Sequence, residues 1–305
     1  MEFVGEKGCK IRMDILLRSF MFVPAYNRKF IEKALVSNAD AIILDMEDSV
    51  PEGKRADARK MILEYGKTGK LQKKKIFIRI NEMESMDFVA DISELIIDSI
   101  VGFMPSKIYS ADDIIFIDKL LSFMEKRNGL EVGKLLLAPL IETTKALARV
   151  QEIAFASPRL VALCFGGEDY LNDLGSVYTY QASALVVPRA LIANAARSAG
   201  LLPIDTPYID IADIEGFEKA ERQAYENGYA GCLILNPKQI EAANRAFMPE
   251  LDKVVYSKRV IKAVQESEKE KDSNIAMLDG VMVGPPMRKR AEAVIRQMEV
   301  VRRQM

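Results

Sequence analysis

The chain has 305 residues, of which 49% are apolar and 29% charged, and its 43 basic and 44 acidic side chains leave a formal net charge of -1. This length allows one large or two ordinary globular domains, and the balanced charge disfavours nucleic acid as a partner. The sequence contains no histidine, which excludes Ser-His-Asp and Cys-His nucleophiles and any histidine-containing zinc site. Acid–base chemistry must therefore use carboxylates, lysine, tyrosine, cysteine or metal-bound water.

Short apolar runs alternate along the chain with longer amphipathic segments. The apolar runs predict eight strands, at about residues 18–23, 40–45, 75–80, 99–104, 134–140, 159–165, 201–204 and 230–235. Continuous apolar character, rather than strict alternation, is typical of strands that are covered on both faces. Amphipathic periodicity predicts a helix after each strand, at 27–37, 54–65, 87–97, 111–126, 144–155, 182–199, 213–227 and 237–246.

Eight strand-then-helix units between residues 18 and 246, at about 30 residues each, predict an α/β fold of the (β/α)8 TIM barrel type. A doubly wound open sheet is the alternative, because periodicity alone does not show whether the sheet closes. The barrel is favoured because no GxGxxG follows the first strand and no P-loop sequence occurs. We therefore expect a TIM barrel domain at residues 1–248 and a C-terminal helical extension at 249–305.

The extension contains two polar, amphipathic patterns that predict helices at about 249–271 and 286–304. The link between them reads SNIAMLDGVMVGPPM, and its two prolines are expected to interrupt regular structure. An appendage of this kind can reach a neighbouring subunit.

The three cysteines, Cys9, Cys164 and Cys232, are far apart and odd in number, which is typical of reduced, buried cysteines rather than a disulfide framework or a metal site. No apolar stretch has the roughly 18–20 residues that a membrane helix needs. The N-terminal MEFVGEKGCKIRMD is too charged for the core of a signal peptide. We therefore expect a cytoplasmic protein that does not contact a membrane.

In a TIM barrel, functional side chains gather where the strands end. The predicted strand ends are rich in polar residues: Asp45, Glu47, Asp48, Arg79, Asn81, Ser106, Lys107, Glu142, Gly166, Gly167, Glu168, Asp169, Asp205 and Asn236. Arg18 begins the first strand. Acids and bases therefore alternate around one rim of the predicted barrel.

Glu142 and Asp169 follow two strands that are neighbours in a barrel. Adjacent strands lie about 4.8 Å apart, so two carboxylates at their ends can share one hard cation. The pair predicts a Mg2+ site, whereas zinc is disfavoured because histidine and nearby cysteine are absent. The alternative is that Glu142 caps the helix it opens while Asp169 pairs with a nearby arginine or lysine.

Arg79 has a planar guanidinium that suits a carboxylate or a developing enolate oxygen. The alternative is a buried ion pair with Glu47 or Asp48, and both interpretations can hold together. Lys107 is a weaker candidate, because a lysine after a strand is usually solvated and a Schiff base needs a lowered pKa. Cys164 is expected in the core.

Five segments of the chain, in order, resemble the citrate lyase β-subunit family, the CoA-ester lyases of the HpcH/HpaI aldolase group. The segments are RSFMFVPAYNRKFIEKALVSNADAIILDMEDSVPEGKRADAR at 18–59, IRIN at 78–81, PLIETTKAL at 139–147, FGGEDYLNDLG at 165–175 and AGCLILNPKQI at 230–240. The resemblance implies a homotrimeric or hexameric TIM barrel that binds Mg2+ and an α-keto acid and cleaves a carbon–carbon bond in citryl, citramalyl or malyl thioesters.

The resemblance also implies roles for individual residues. It makes Glu142 and Asp169 the metal ligands and Arg79 the contact to the keto-acid oxygens. Glu47 and Asp48 match the family's acidic pair after strand 2, and Lys107 matches a lysine after strand 4. We therefore predict that Arg79, Glu47 and Asp48 are catalytic, and that Arg79, Arg18 and Lys107 bind substrate.

One position departs from the family pattern. Many members carry G-x-M-V-D-x-P near the C-terminus, and that aspartate reaches a neighbouring subunit's site as a general acid–base. Here the segment reads GVMVGPP, with Gly284 in the aspartate's place, and Asp279 is the candidate to replace it. The departure puts in doubt any reaction that needs this acid.

The predicted reaction is a retro-Claisen cleavage of a 3-hydroxy-3-carboxyacyl thioester to acetyl-CoA and pyruvate, oxaloacetate or glyoxylate, which makes the protein an oxo-acid lyase. Glu47 is the candidate base. Three alternatives stay open. They are the β-subunit of a citrate lyase complex acting on an acyl carrier protein thioester, an aldolase for free 2-keto-4-hydroxy acids, and a non-catalytic barrel that binds a keto acid or CoA, prompted by Gly284.

Overall fold

The structure is a computed structural model that describes residues 15–177, 179 and 183–304. The chain divides into two compact units, one ending at Phe247 and the other beginning at Met248. Cys9, the charged N-terminal segment around it and the start of the helix predicted at 182 lie outside the described residues. Within the described residues, no helix is long and apolar enough to cross a membrane.

The first unit is built around one parallel sheet. Its strands are β1 (Ser19–Pro24), β2 (Ala41–Asp45), β3 (Lys75–Ile80), β4 (Gly102–Pro105), β5 (Leu136–Leu137), β6 (Leu140–Ile141), β7 (Ala162–Phe165), β8 (Leu202–Asp205) and β9 (Gly231–Ile234). They are hydrogen-bonded in the order β5-β4-β3-β2-β1-β9-β8-β7-β6. The eight predicted strand positions are therefore confirmed, with the fifth divided into β5 and β6.

The sheet closes through this divided strand. β5 pairs with β4 and β6 pairs with β7, so the two pieces are one strand interrupted at Ala138 and Pro139. Leu137 completes the closure, since its N–H donates to the carbonyl of Arg159 at 2.9 Å and its carbonyl accepts from the N–H of Val161 at 2.9 Å. The fold is thus a TIM barrel, and the open-sheet alternative is excluded.

Helices surround the barrel in the predicted order. They are α1 (Arg28–Leu35), α2 (Arg55–Lys67), α3 (Met86–Glu94), α4 (Ala111–Arg127), α5 (Thr144–Ala148), α6 (Val150–Ala154), α7 (Gly167–Leu174), α8 (Val186–Ser198), α9 (Ile214–Glu226) and α10 (Ile240–Ala246). Single 3-10 turns occur at Glu52–Lys54, Leu71–Lys73, Ser183–Leu185 and Pro237–Gln239. The helix predicted at 144–155 is two helices that meet at Arg149, and α7 was not predicted because eight residues carry little periodic signal.

Two apolar cores sandwich the strands. The larger core lies between the sheet and the helices, and the smaller one fills the barrel, with members such as Phe20, Ile43, Phe77, Met104 and Leu140. Side chains along a strand alternate between the two faces of the sheet. The residue two positions after each of these inner-core residues therefore also points toward the inside of the barrel. Those residues are Phe22, Asp45, Arg79, Ser106 and Glu142. Strand alternation therefore directs one set of polar side chains toward the barrel axis.

Cys164 belongs to the inner core and Cys232 to the outer one. Both are free and fully buried, and burial raises the pKa of each thiol. The prediction of reduced, buried cysteines is confirmed for these two residues.

The second unit consists of α11 (Leu251–Lys271), a hairpin of antiparallel strands β10 (Ala276–Leu278) and β11 (Val281–Val283), and α12 (Pro285–Gln304). Val260, Val264, Val283 and Ala291 form its core. The expectation that the prolines interrupt regular structure was wrong. They begin α12, where proline has no intrahelical N–H bond to lose.

Candidate active site

The side chains beyond the inner core surround a cavity of about 380 Å³ at the carboxyl ends of the strands. Its charged lining residues are Asp45, Asp48, Arg79, Glu142, Glu168 and Asp169. Its apolar lining includes Phe22, Leu140, Pro207, Ile209, Leu233 and Leu235. The cavity thus combines a cluster of acids around one arginine with an apolar wall.

Asp45 and Arg79 form the central ion pair of this cavity. The two residues are register partners on β2 and β3, and Arg79 donates from Nε to Asp45 Oδ1 at 2.6 Å and from Nη2 to Oδ2 at 2.7 Å. Burial disfavours the charged form of both residues, but the hydrogen bonds and the attraction between their charges are stronger than this effect. The pKa of Asp45 is therefore lowered and the pKa of Arg79 is raised. The guanidinium carbon also lies 4.9 Å from the centre of the Phe22 ring. Arg79 is therefore a permanently charged and firmly held group.

Asp45 also shapes the loop that follows β2. Its carboxylate accepts the backbone N–H groups of Glu47 at 3.0 Å and Ser49 at 3.2 Å. The folded loop brings Glu47 Oε2 to 2.9 Å and Asp48 Oδ2 to 3.0 Å from Arg79 Nη1. The ion pairs of Arg79 with Glu47 and Asp48 are both present, and Asp45 adds a third acid that the sequence reasoning had not assigned.

Lys107 links two more acids at the rim. Its Nζ lies 3.3 Å from Glu47 Oε1 and 3.4 Å from Glu82 Oε2. Burial opposes its charge, but the two carboxylates outweigh burial and raise its pKa. A raised pKa is the opposite of what a Schiff-base lysine needs. The backbone N–H of Lys107 donates to Glu142 Oε1 at 2.5 Å, which directs the carboxylate of Glu142.

Glu142 is a buried carboxylate with 2% of its surface exposed. Burial raises its pKa to about 8, and the negative charges of Glu47 and Asp169 act in the same direction, although the N–H of Lys107 and the charge of Arg79 oppose them. It does not cap the helix that follows, because Thr143 does so by accepting the N–H of Ala146 at 3.1 Å. The capping alternative for Glu142 is therefore wrong.

Gly166 makes room for this carboxylate. A Cβ atom on Gly166 would lie 2.5 Å from the Cβ of Glu142 and 2.7 Å from its Oε2, which is closer than such atoms approach. The next residue, Gly167, begins α7 and donates its N–H to Thr206 Oγ1 at 2.9 Å. These contacts explain why two glycines precede the acids Glu168 and Asp169.

Asp169 lies in the first turn of α7 and lines the cavity. Burial and the charge of Asp48 raise its pKa, against the weaker effects of Lys107 and Arg79. In the described part of the chain, Asp169 has no arginine or lysine within ion-pair distance. The alternative that it serves a structural ion pair is not supported.

Glu142 and Asp169 fit a hard divalent cation. Their donors are carboxylate oxygens, and mutual repulsion contributes to the raised pKa of Glu142, so a cation between them would favour both charges. Among residues 15–177, 179 and 183–304, no group of three His, Cys, Asp or Glu side chains is arranged to hold a metal. Two protein ligands with the remaining positions left to water or substrate is the usual way in which proteins bind Mg2+.

Arg18 does not belong to this cavity, and its predicted role in substrate binding is wrong. It precedes β1 and pairs with Asp40, with Nε 2.8 Å from Oδ2 and Nη2 2.8 Å from Oδ1. Its Nη1 also donates to the carbonyl of Asn244 at 3.4 Å. A strand rises about 3.3 Å per residue, so Arg18 and Pro24 lie roughly 20 Å apart at opposite ends of the barrel.

Other polar residues at the strand ends have structural roles. Asp205 points outward, where it pairs with Arg189 Nε of α8 at 2.9 Å, and its charge raises the pKa of the fully buried Glu221 further than burial alone does. Asn81 donates to Asp91 Oδ2 at 2.7 Å, and Asn236 caps the turn that follows β9. Asp279, the candidate to replace the acid missing at Gly284, pairs with Arg259 at 2.6 Å inside the second unit.

The sequence reasoning missed Asp45, Glu82 and Thr206 as members or supports of the site. Asp45 carried a signal, because it lies in the acid-rich DMEDSV segment directly after an apolar strand. Glu82 and Thr206 carried none, since their importance depends on contacts with Lys107 and Gly167.

Comparison with known proteins gives consistent matches over this whole architecture. A family model described as HpcH/HpaI aldolase/citrate lyase matches residues 18–237. The chain is 30% identical to the citrate lyase subunit beta of Haemophilus influenzae, with 92% of this chain and 96% of that protein covered. It is 31% identical to the L-malyl-CoA/beta-methylmalyl-CoA lyase of Cereibacter sphaeroides, with 93% and 95% covered.

A solved structure also resembles the chain closely. It is protein CitE from Mycobacterium tuberculosis in complex with magnesium, acetoacetate and coenzyme A. The TM-score is 0.74 at 26% sequence identity, and the match covers 92% of this chain and 97% of that one.

Proposed function

This chain belongs to the HpcH/HpaI aldolase/citrate lyase family, and from that premise we propose that it is a Mg2+-dependent carbon–carbon lyase acting on CoA thioesters. The substrate is a 3-hydroxy-3-carboxyacyl-CoA of the citramalyl, malyl or citryl type, and the products are acetyl-CoA and an α-keto acid. The observation that carries the proposal is the convergence of Glu142, Asp169 and the anchored Arg79 on one cavity. The relatives named as citrate lyase and malyl-CoA lyase support the same chemistry.

Glu142 and Asp169 would hold the Mg2+ through their carboxylate oxygens. When bound there, the ion supplies Lewis-acid polarisation of the substrate's oxygens and lowers the pKa of its hydroxyl group. The complex of CitE with magnesium, acetoacetate and coenzyme A supports the proposed dependence on Mg2+.

Arg79 stabilises the negative charge on the oxygen that becomes the keto oxygen of the product. Asp45 fixes the guanidinium plane by a two-point contact, and Glu47 and Asp48 hold Nη1, so the cation does not need to reorient during the reaction. Preorganised charge of this kind is usually the largest contribution of a protein to such a step.

Glu47 is the proposed base that removes the hydroxyl proton. The bond between C2 and C3 of the acyl group then breaks, and its electron pair forms the enolate of acetyl-CoA. Solvent water protonates the enolate carbon to give acetyl-CoA, and Glu47 releases its proton to solvent. Burial raises its pKa, the charge of Asp48 adds to this effect, and Arg79 and Lys107 oppose it. A raised pKa brings a carboxylate closer to the operating pH, where a general base is most effective. Asp48 acts through its contact with Arg79, and Lys107 acts through its contact with Glu47. We also propose that Lys107 contacts the substrate directly.

A cleavage assay of the purified protein on citramalyl-, malyl- and citryl-CoA tests this function. We expect keto-acid release from at least one thioester, loss of release with EDTA and recovery when Mg2+ is restored. The same assay tests whether Gly284 is tolerated in place of the family's C-terminal acid. No release from any thioester in the presence of Mg2+ would contradict the proposal.

A second candidate is the β-subunit of a citrate lyase complex, and the 30% identity to a citrate lyase subunit beta favours it. In that case the substrate is citrate joined to an acyl carrier protein rather than to CoA. Faster cleavage of the carrier-linked thioester than of citryl-CoA, and copurification with a carrier, would select this candidate.

We also propose that the protein is a cytoplasmic homotrimer or hexamer. The family resemblance supports the oligomer, and the reduced cysteines Cys164 and Cys232 are typical of the cytoplasm. Sedimentation velocity of the full-length chain would contradict the oligomer if it gave a monomer at micromolar concentration.

A further inference from the structure

We infer that the cavity accepts a keto acid with one carboxylate and a small apolar substituent, and that it discriminates against a dicarboxylic keto acid. This inference rests on the proposed function and deepens it, because it selects pyruvate or glyoxylate over oxaloacetate as the product. The discriminating group is the substituent on the carbon that carries the hydroxyl and the carboxylate in the thioester.

The two cations at this rim already have carboxylate partners. Arg79 contacts Asp45, Glu47 and Asp48, with the closest N–O distances between 2.6 and 3.0 Å. Lys107 contacts Glu47 and Glu82 at 3.3 and 3.4 Å. Beyond the one substrate oxygen that Arg79 is proposed to contact, a second substrate carboxylate would have to compete with these acids for the same two cations.

Acids also face the open part of the cavity. The Asp48 side chain is 62% exposed, and Glu168 lines the same space. A cation between Glu142 and Asp169 would balance those two carboxylates and would leave Asp48 and Glu168 negative. An additional negative group on the substrate therefore meets like charge, which is a common means of rejecting a wrong ligand.

Most of the remaining wall of the cavity is apolar, and Ser49, Gly166 and Gly167 complete the lining. Leu140 and Leu233 extend from the inner core, and Leu235, Pro207 and Ile209 continue the wall toward the rim. A methyl group gains contact there, whereas a carboxylate loses its water without gaining a hydrogen-bond donor from these side chains. Charge and polarity therefore act together in favour of the smaller, apolar substituent.

Equilibrium binding to the Mg2+-loaded protein tests this inference with a matched pair of ligands. 2-Oxobutanoate and oxaloacetate differ only in a terminal methyl against a carboxylate, and pyruvate completes the set. We expect 2-oxobutanoate and pyruvate to bind at least about tenfold more tightly than oxaloacetate. Equal or tighter binding of oxaloacetate, or no binding of any of the three, would overturn the inference.

This measurement needs no turnover, so the two proposals can fail separately. The expected binding preference together with silence in the cleavage assay would support the inference and contradict only the proposed function. Cleavage of citryl-CoA with a higher kcat/KM than citramalyl-CoA would overturn the inference and leave the lyase function standing.

A charge placed on the apolar wall provides a second test. Leu235 is 45% exposed, so Leu235→Lys adds a cation beside the cavity at a position that tolerates it, and Leu235→Met is the uncharged control of similar reach. We expect the lysine variant to reduce the preference for 2-oxobutanoate over oxaloacetate by about fivefold and the methionine variant to keep it. Equal ratios in the two variants would overturn the electrostatic basis of the inference.

Discussion

Asp45 and Arg79 face each other across two neighbouring parallel strands and join through two short hydrogen bonds, Nε to Oδ1 at 2.6 Å and Nη2 to Oδ2 at 2.7 Å. The same carboxylate holds the backbone of the loop that carries Glu47 and Asp48. One aspartate therefore sets the orientation of the guanidinium and the position of two further acids around it.

Replacing this aspartate should impair the reaction more than the fold. Asp45→Asn removes the charge and one acceptor, so we expect kcat to fall by about 100-fold because the guanidinium is no longer held in place. Breaking a buried ion pair should also lower the free energy of unfolding by about 3 kcal/mol. Steady-state kinetics and urea unfolding measure the two effects, and an unchanged kcat would contradict the positioning role.

Asp48→Asn is the matched control for this variant. The Asp48 side chain is 62% exposed and makes a single contact with Arg79, so its loss should affect both kcat and stability less than the loss of Asp45. A larger effect on kcat at Asp48 than at Asp45 would reverse the assignment of the principal anchor.

Gly166→Ala should displace the carboxylate of Glu142. The added Cβ would lie 2.5 Å from the Cβ of Glu142, and the Gly166 φ of -92° suits alanine, so crowding rather than backbone strain is responsible. We expect kcat/KM to fall by about 100-fold and the free energy of unfolding to fall by about 1–3 kcal/mol.

Gly53→Ala provides the control, because Gly53 has no atom within 4 Å of the added Cβ. The free energy of unfolding of the Gly53→Ala variant should differ from that of the wild type by less than about 0.5 kcal/mol. If Gly166→Ala retained full activity, the close approach of Gly166 to Glu142 would have no catalytic importance.

Glu142→Gln should abolish the effect of Mg2+ on stability. A ligand that binds the folded protein at a hundred times its Kd stabilises it by about 2.7 kcal/mol, so Mg2+ should raise the melting temperature of the wild type. The glutamine variant should show no such rise, as measured by thermal unfolding with and without EDTA. An equal rise in the variant would place the metal elsewhere.

The same substitution should change the pH dependence of stability without metal. The pKa of Glu142 is about 8 in the folded protein, above the ordinary value of 4.5, so the folded state holds the proton more tightly. Its favourable contribution is complete below about pH 4.5 and is lost as the pH rises to about 8, at up to roughly 1.4 kcal/mol per pH unit. Relative to the wild type, Glu142→Gln should become more stable over this range in urea unfolding, and parallel pH curves would contradict the shift.

Comparing Arg18→Gln with Arg79→Lys should show that Arg18 has a structural role and Arg79 a functional one. The Arg18–Asp40 pair is buried at the amino end of β1, so the variant should lose about 3 kcal/mol of unfolding free energy while KM stays unchanged. Arg79→Lys, by contrast, loses the two-point contact and should lower kcat by at least about tenfold. A raised KM in a folded Arg18→Gln variant would restore the predicted role of Arg18 in substrate binding.

The number and order of the barrel units follow from the amino-acid sequence alone. Strands that are buried on both faces are continuous apolar runs, and amphipathic helices have a different period, so each of the eight units is visible locally. The sequence also placed Arg79 at the end of one strand and Glu142 and Asp169 after two others. Parallel strands end at one edge of a sheet, so the convergence of these residues on one cavity followed.

The face of the sheet and the end of the barrel that each polar residue occupies depend on the folded structure. Asp45 lies two residues beyond Ile43 of the inner core and points to the cavity, whereas Asp205 follows Ile204 of the same core and points outward to Arg189. A strand that is apolar on both faces carries no alternation from which to read this direction. The predicted role of Arg18 did not agree with its position, because Arg18 begins the first strand whereas functional side chains gather where the strands end; the structure shows that it pairs with Asp40. Closure through Leu137 likewise depends on hydrogen bonds between segments that local periodicity does not connect.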